Sequence, residues 1–374
     1  MIHIDFERLR SMGLNAALAQ QATRQAAQLA DTVQDKSDLG TLQLMRLTEL
    51  HRETLRLHDG STERSARALP RLTRSLAEAE TALAVGDWLW AKQDAHHQCW
   101  VHERVPPQTH LVRRDADGHR HPVVSNVDLA LLVMGLDDDF NLRRLERFTA
   151  LVQGTGVQAV IVLTKADTVR DAPTLFARQQ SLRQRLPSRV EPQLELFSID
   201  ARDPDTALRL APHTRAGQTL VLLGSSGAGK STLTNTLLGR AAQDTGAVRE
   251  HDSRGKHTTT ARSLFQLPGG ACIIDTPGLR ALRPDADEQT VAATFHDIQG
   301  LSVQCRLRNC RHQDEPGCVV RDTVDADRLR NYHKLLREAR RDTLGQLERQ
   351  QLLAQWKARG RAGRERMKFK RGEG

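Results

Sequence analysis

Nine residues constrain this chain more than any others. A short apolar run, 220–223, leads directly into Gly224-Ser225-Ser226-Gly227-Ala228-Gly229-Lys230-Ser231-Thr232. The pattern G-x-x-x-x-G-K-[S/T] between a buried strand and a helix is a phosphate loop. The glycines let the backbone curl so that N–H groups surround phosphate oxygens. Lys230 is the residue that reaches the β- and γ-phosphates, and Ser231 offers an oxygen to Mg²⁺. The helix that follows, with Leu233, Leu237 and Leu238, points its positive end at the anion. The bare pattern arises by chance in roughly 1 chain in 100 of this length. The apolar strand before it and the helix after it are therefore what carry the reading.

The surrounding texture agrees. Apolar runs at 129–134, 159–163, 194–197, 220–223 and 272–274 read as buried strands, with helical stretches between most of them. Continuous apolar strands separated by helices imply a parallel sheet covered on both faces. The part before it differs. Short runs at 42–47, 55–57, 85–90 and 100–101 alternate with turn signals such as Asp59-Gly60 and Asp117-Gly118, which predicts a small β-barrel. Residues 5–32 carry Leu9, Leu14, Ala17, Leu18, Ala22 and Leu29 at helical spacing, and 34–40 reads as a linker. A chain of 374 residues needs more than one core. The expected division is 1–40, a helical extension and linker; 41–125, a barrel; 126–298, the α/β domain; 299–345, a cysteine-containing helical domain; and 346–374, a basic tail.

Two further motifs select the base and the reaction. Ile273-Ile274-Asp275-Thr276-Pro277-Gly278 ends a strand with an acid and adds glycine three residues later. Asp275 is placed to hold Mg²⁺ through water, and the Gly278 amide to sense a γ-phosphate. Upstream, Ile161-Val162-Leu163-Thr164-Lys165-Ala166-Asp167 ends another strand and resembles the N/T-K-x-D loop of GTPases. In that loop the aspartate takes two hydrogen bonds from guanine N1 and N2, and the lysine stem covers the base. Adenine lacks that donor pair and leaves the carboxylate unpaired, a strong basis for rejection. Thr164 stands where asparagine is commoner, which changes one bracing hydrogen bond.

The order of these motifs is unusual. The base-reading loop (164–167) precedes the phosphate loop (224–232), and Asp275 comes last. A parallel sheet gathers its ligand loops at the carboxyl ends of its strands whatever the chain order, so the pocket survives a circular permutation. Together with a preceding barrel and a following cysteine cluster, this order resembles one family, the ribosome-small-subunit-dependent GTPases of the RsgA/YjeQ/YloQ type. The likeness spans about residues 41–340. It includes Val85-Gly86-Asp87-Trp88, the run 130–136 with Asp139-Phe140-Asn141, and Gly255-Lys256-His257-Thr258-Thr259-Thr260. The resemblance implies a multidomain α/β protein: an N-terminal OB-type barrel, a circularly permuted GTPase domain and a C-terminal zinc-binding helical domain. It also implies GTP hydrolysis tied to late maturation of the small ribosomal subunit, with hydrolysis driving release. The family's second guanine-contacting segment usually reads Ser-Ala. The match here is Ser198-Ile199 or Ser198 with Ala201.

Many GTPases orient the attacking water with glutamine directly after the D-x-x-G glycine. That position is Leu279, which cannot do so. The resemblance implies a hydrophobic residue there and catalytic help from elsewhere, for which His257 is the candidate, beside Lys230. Segment 244–260 reads as a switch loop that one of Thr258 to Thr260, Thr259 by preference, closes onto Mg²⁺.

The cysteines add a metal. Cys305-x₄-Cys310-x-His312-x₅-Cys318 offers three thiolates and one imidazole, a donor set for tetrahedral Zn²⁺ with no open position. The expected role is structural. Cys99 and Cys272 read as structural residues.

The net charge of +9 suits a polyanionic partner. Residues 357–374 carry eight Lys/Arg against two Glu, a tail suited to RNA phosphates. The segment Arg64 to Arg74 and the pair Arg113-Arg114 read as charged loops. Trp88 and Trp90 lie two apart and share one strand face, either stacking on bases or filling the barrel. No stretch reaches the ~20 apolar residues of a membrane span, and MIHIDFERLR is no secretory signal. The expectation is a cytoplasmic monomer that engages the small ribosomal subunit and its rRNA and no membrane. Three rivals remain: an ATP-dependent phosphotransferase, against which Lys165 and Asp167 argue; an RNA-binding module with structural GTP; and a GTPase acting on another RNA.

Overall fold

The computed structural model describes residues 4–32, 42–51, 54–115, 117–169, 171–185, 195–243, 262–278 and 283–343. The chain divides into two compact units, Met1–Pro284 and Asp285–Gly374.

The first unit opens with two helices, α1 (Phe6–Arg10) and α2 (Ala16–Thr32). The single helix expected over 5–32 is broken between them. Gly13 takes φ +83°, a left-handed turn. Asn15 then starts α2 by accepting the Leu18 amide at 2.8 Å.

Five strands follow: β1 (Gln43–Leu50), β2 (Leu55–His58), β3 (Glu63–Ala68), β4 (Trp88–Gln93) and β5 (Cys99–Arg104). They pair in the circular order β1-β2-β3-β5-β4-β1, with helix α3 (Pro70–Glu78) between β3 and β4. This closed five-stranded barrel has OB-type architecture. The segment read as a charged loop at 64–74 is thus the strand β3 and the start of α3. Their apolar residues Ala66 and Leu72 enter the barrel core and leave the arginines outside.

Strand periodicity decides which residues face that core. Met45, Leu47, Leu89 and Ala91 point inward with Leu55, Leu57, Cys99 and Val101. Their neighbours Leu44, Arg46, Trp88 and Trp90 therefore point outward. Outward here does not mean exposed. Trp88 and Trp90 are fully buried, in a larger core shared with Leu9, Met12, Leu14, Leu18 and Ala22 of the N-terminal segment. They neither fill the barrel nor offer a face for stacking on bases. Trp90 Nε1 donates to Gln25 Oε1 at 3.2 Å. The buried Arg46 guanidinium lies 4.9 Å from the Trp88 ring centre and donates to the carbonyls of Met12, Gly13 and Asn126. The N-terminal segment thus covers the outer face of β1 and β4.

Two strands, β6 (His110–Arg114) and β7 (Arg120–Ser125), form a hairpin. Arg113 and Arg114 lie on β6 rather than in a loop. Both pair with the short strand β14 (Arg283–Pro284).

The α/β part follows with β8 (Leu129–Gly135), α4 (Leu142–Gln153), β9 (Gln158–Thr164), α5 (Ala172–Arg185), β10 (Glu195–Ser198), α6 (Asp205–Leu210), β11 (Thr219–Leu223), α7 (Lys230–Leu238), β12 (Ser263–Gln266) and β13 (Cys272–Asp275). The strand order is β10-β9-β8-β11-β13-β12, with the first five parallel and β12 antiparallel. Strand β8 shows why this sheet reads as continuous apolar sequence. Ala130, Leu132 and Met134 face α4, whereas Leu129, Leu131 and Val133 join the core with Leu233 and Leu237 of α7. Strand β12 also pairs with β1, Ser263 opposite Glu49, which joins barrel and sheet into one hydrogen-bonded system.

The second unit holds helices α8 (Glu288–Thr294), α9 (His296–Ser302), α10 (Val319–Thr323) and α11 (Ala326–Thr343). Val291, Phe295, Ile298, Val320, Leu329 and Leu335 form its core. Arg328 locks α11 to α9 through Asp297 at 2.6 Å and lies over the Phe295 ring. Among the described residues no helix is long and apolar enough to cross a membrane.

Candidate nucleotide site and metal cluster

Strands β9, β11 and β13 end on the same edge of the parallel sheet, where such sheets gather ligands. Their following loops are the three motifs, and side chains knit them together.

The phosphate loop occupies Gly224–Gly229, with α7 starting at Lys230. Gly227 and Gly229 take φ +81° and +90°, so the turn uses glycine's left-handed freedom. A Cβ on Gly224 would sit 2.4 Å from the Val133 carbonyl oxygen of β8, so only glycine fits that crossing. Ser226 and Gly227 are exposed at the loop's tip, and Ala228 is buried beneath it. Ser231 and Thr232 lie half-buried on the first turn of α7. The Lys230 ammonium is 6% exposed and donates to the loop's own Gly224 and Ser225 carbonyls at 3.1 and 2.7 Å. Burial lowers its pKa, while Asp275 and Asp139 pull the other way.

Asp275 ends β13, beside the phosphate loop. Ser231 Oγ donates to its Oδ2 at 3.2 Å. Its Oδ1 is buried and has no hydrogen-bond partner among the described residues. Burial raises the pKa of this carboxyl, against Lys230 and Ser231. An orphaned carboxylate oxygen beside a serine hydroxyl is a hard oxygen donor set, and it fits Mg²⁺. Gly278 lies against the same loop. A Cβ there would meet the Ser226 amide nitrogen at 2.3 Å, so only glycine lets the two backbones approach.

The base-reading loop is tied in by its unusual first residue. Fully buried, Thr164 donates from Oγ1 to the Ala228 carbonyl of the phosphate loop at 2.6 Å. Lys165 takes the left-handed conformation (φ +59°), and its ammonium meets Asp137 at 2.6 Å. Burial pushes the Asp137 carboxyl up, but Lys165 and the Asp139 amide outweigh it, and the net shift is downward. Asp167, in the helical turn Ala166–Thr168, accepts from Arg202 at 2.7 Å.

Arg202 belongs to the neighbouring loop after β10. There Ser198 Oγ accepts from Gln179, and the Ile199 amide continues the strand ladder to the Leu163 carbonyl at 2.8 Å. The Ala201 amide has no such commitment among the described residues, and its carbonyl accepts from Thr236 Oγ1 at 2.6 Å. His257, Thr258, Thr259, Thr260, Leu279 and the basic tail 346–374 lie outside the described residues.

Sequence reading gave no role to Asp137, Asp139 or Arg202, with Asp139 entering only as part of the family likeness. The first two carried a signal. Three successive aspartates, 137–139, stand directly beyond the carboxyl end of a buried parallel strand, where ligand loops gather. Arg202 carried none, because its partner Asp167 is 35 residues away in sequence.

In the second unit the cysteine motif closes on itself. The ligand atoms of Cys305, Cys310, His312 and Cys318 all lie within 4.8 Å of one another. His312 Nδ1 is 3.7 Å from Cys305 Sγ and 3.5 Å from Cys318 Sγ, and those two sulfurs are 4.0 Å apart. A tetrahedron with zinc–sulfur bonds near 2.3 Å has edges of about 3.8 Å. Three thiols and an imidazole at these separations fit Zn²⁺, with no fourth position open. His312 takes φ +58°, and its carbonyl meets His333 Nε2 at 3.2 Å. Glu315 accepts the Arg311 and Gln313 amides at 3.0 and 2.8 Å and holds the loop in shape.

Comparison with known proteins gives the family and the fold. The sequence model of the RsgA GTPase family matches residues 104–284. A small ribosomal subunit biogenesis GTPase RsgA of Xanthomonas axonopodis pv. citri is 43% identical over 302 residues, 78% of this chain and 80% of that protein. The protein of the same name from Xanthomonas euvesicatoria pv. vesicatoria is 43% identical over 277 residues, 72% of this chain and 73% of that protein. Among solved structures, YloQ, a circularly permuted GTPase, superposes with a TM-score of 0.53 at 21% identity, covering 84% of this chain and all of that one. YjeQ from Thermotoga maritima gives 0.54 at 21% identity, covering 80% and 98%. These two likenesses speak for the fold.

Proposed function

The chain belongs to the RsgA GTPase family, and from that premise we propose that it binds and hydrolyses GTP in the cytoplasm, docks on the small ribosomal subunit and its rRNA, assists late maturation, and leaves when GTP is spent. One observation carries the nucleotide reading. The phosphate, base-reading and D-x-x-G loops are joined by Thr164 to Ala228, Ser231 to Asp275, and Gly278 against Ser226.

In this reading the base enters beside Asp167, whose carboxylate accepts guanine N1 and N2 as Arg202 gives way. The Ala201 amide serves guanine O6, because that of Ile199 is spent in the ladder. The stem of Lys165 covers the ring. Lys230 exchanges the Gly224 and Ser225 carbonyls for the β- and γ-phosphates, and the amides of Gly224 to Thr232 surround them. Ser231 directly and Asp275 through water would hold Mg²⁺, which would supply neutralisation of phosphate charge. Gly278 offers its amide to the γ-phosphate. His257 orients the attacking water in place of the glutamine that Leu279 displaces, and Thr259 closes the switch. The imidazole of His312 and the thiolates of Cys305, Cys310 and Cys318 would hold a structural Zn²⁺. The basic tail and the barrel's exposed surface face rRNA, and the protein acts as a monomer.

His257→Ala is expected to keep GTP affinity and slow hydrolysis, and unchanged turnover would remove His257 from the mechanism. The main test is GTP hydrolysis by the purified protein alone, with stoichiometric small subunits, and with large subunits as control. Stimulation by small subunits only is the expected result. Hydrolysis without stimulation would leave a GTPase with another partner. GTP binding without hydrolysis under any condition would make the nucleotide structural.

A further inference from the structure

The loop 136–141, between β8 and α4, carries part of the family likeness but none of the three nucleotide motifs, and it touches both ends of the nucleotide site. Asp139 receives the Ser225 hydroxyl at 2.6 and 2.7 Å on its two oxygens. It also accepts the Gly135 amide at 3.3 Å and pairs with Arg144. Two residues earlier, Asp137 holds the Lys165 ammonium and accepts the Asp139 amide at 3.2 Å. The Leu136 amide bonds the Thr164 carbonyl at 2.9 Å.

Two acids beside a polyphosphate site need a reason. Each is neutralised on its own side, Asp137 by Lys165 and Asp139 by Arg144, so neither presents an unpaired charge to phosphate. What remains is a strong acceptor fixed in place, and a hydrogen bond to an ionised acceptor is roughly twice as strong as a neutral one. Ser225 is the first residue after Gly224, and its carbonyl is the one that Lys230 contacts at 2.7 Å. Fixing its hydroxyl fixes the tilt of that peptide, and with it the direction of the amides that follow.

We propose that Asp139 is a positioning residue of the nucleotide site, holding the phosphate loop in its anion-binding shape through the Ser225 hydroxyl. The inference rests on the nucleotide site described under Proposed function. Asp139 reaches the loop through the Ser225 hydroxyl, and its charge also favours the charged form of Lys230. The cost of losing this link falls on phosphate binding and leaves base selection alone, because Asp167 and Thr164 are untouched by it.

The experiment is titration of fluorescent GDP and ADP against the full chain and four variants: Ser225→Ala, Ser225→Thr, Asp139→Asn and the Ala/Asn double. Loss of one charge-assisted hydrogen bond corresponds to about a 10- to 100-fold weaker GDP affinity for Ser225→Ala, and Asp139→Asn, which keeps an oxygen acceptor but loses the charge, gives a smaller loss. Ser225→Thr keeps the hydroxyl and restores binding. The double variant binds no more weakly than the weaker single, because both act on one link. The preference for GDP over ADP is unchanged throughout, a result that general loosening of the fold would not give. Wild-type affinity in Ser225→Ala, or a double variant that loses the product of the two singles, would overturn the inference while leaving the GTPase reading intact. Absence of GDP binding by the wild-type chain would overturn both. Should Asp139→Asn not fold, the Ala-against-Thr comparison at 225 decides alone.

Discussion

Replacing Thr164 with valine tests the bond that joins base recognition to phosphate recognition. Thr164 Oγ1 is fully buried and donates to the Ala228 carbonyl at 2.6 Å. Valine has the same shape but no hydroxyl, so two costs arise together. The first is the lost bond, which leaves a buried carbonyl unpaired at about 1–3 kcal/mol. The second is steric. A methyl carbon rests about 3.3–3.6 Å from an oxygen, so at 2.6 Å it pushes the phosphate loop away. Gly229 leaves little slack, since a Cβ built there lies 3.1 Å from the same Oγ1. The expected outcome is a GDP affinity roughly 5- to 150-fold weaker, the range spanned by 1–3 kcal/mol. A melting temperature lowered by several degrees should accompany it. Thr164→Ser keeps the hydroxyl and is expected to stay near wild type in both. The assay is GDP titration beside thermal unfolding of both variants. Valine binding and melting like wild type would show that Thr164 braces nothing.

Three further outcomes follow from the geometry. Chelation, or Cys310→Ser, should release one zinc ion per chain and raise amide exchange across 303–323, because a structural zinc site contributes about 10–16 kcal/mol to folding. Freshly purified protein without zinc in a metal assay refutes the site. Trp90→Ala should cost about 3–5 kcal/mol by denaturant unfolding, since its fully buried ring lies in the core shared with the N-terminal helices; a surface-like loss below about 1 kcal/mol would contradict that packing. The Asp87 carboxyl is fully buried and pushed up to about 6 by that burial, against Arg104 and the Ala84 amide. The folded chain therefore binds a proton that the unfolded chain has released between about pH 4 and 6. This group's contribution to stability falls as pH rises through that window. Asp87→Asn should lack this component in unfolding curves measured across pH 4 to 7, and parallel curves for the two proteins would refute it.

The loops that the fold gathers on one sheet edge, and the cysteine–histidine cluster, were legible in the chain because each is local. A phosphate loop needs its glycines, lysine and hydroxyl within nine residues, and the zinc ligands fall within fourteen. Both requirements write themselves into spacing. The buried strands were legible for a similar reason, since a parallel sheet covered on both faces demands unbroken apolar runs such as 129–134. Even the permuted order of the loops could be read directly.

What the chain could not disclose was partner choice across distance. Period two put Trp88 and Trp90 on one face of β4, but nothing local says which face meets the barrel core and which meets α2. Ser225 finds Asp139 from 86 residues away, and Arg46 finds Thr219 from 173. The charged stretch at 64–74 looked like a loop because half its residues are arginine or polar. The barrel needed just the buried Ala66 and Leu72, with Ala68 packed against them, to make a strand and a helix. Local sequence determined the atoms that can hold phosphate, base and metal. Only the closing of the sheet and barrel under the N-terminal helices decided which partners Ser225, Arg46, Trp88 and Trp90 find, because a partner's identity depends on which surfaces folding brings into contact.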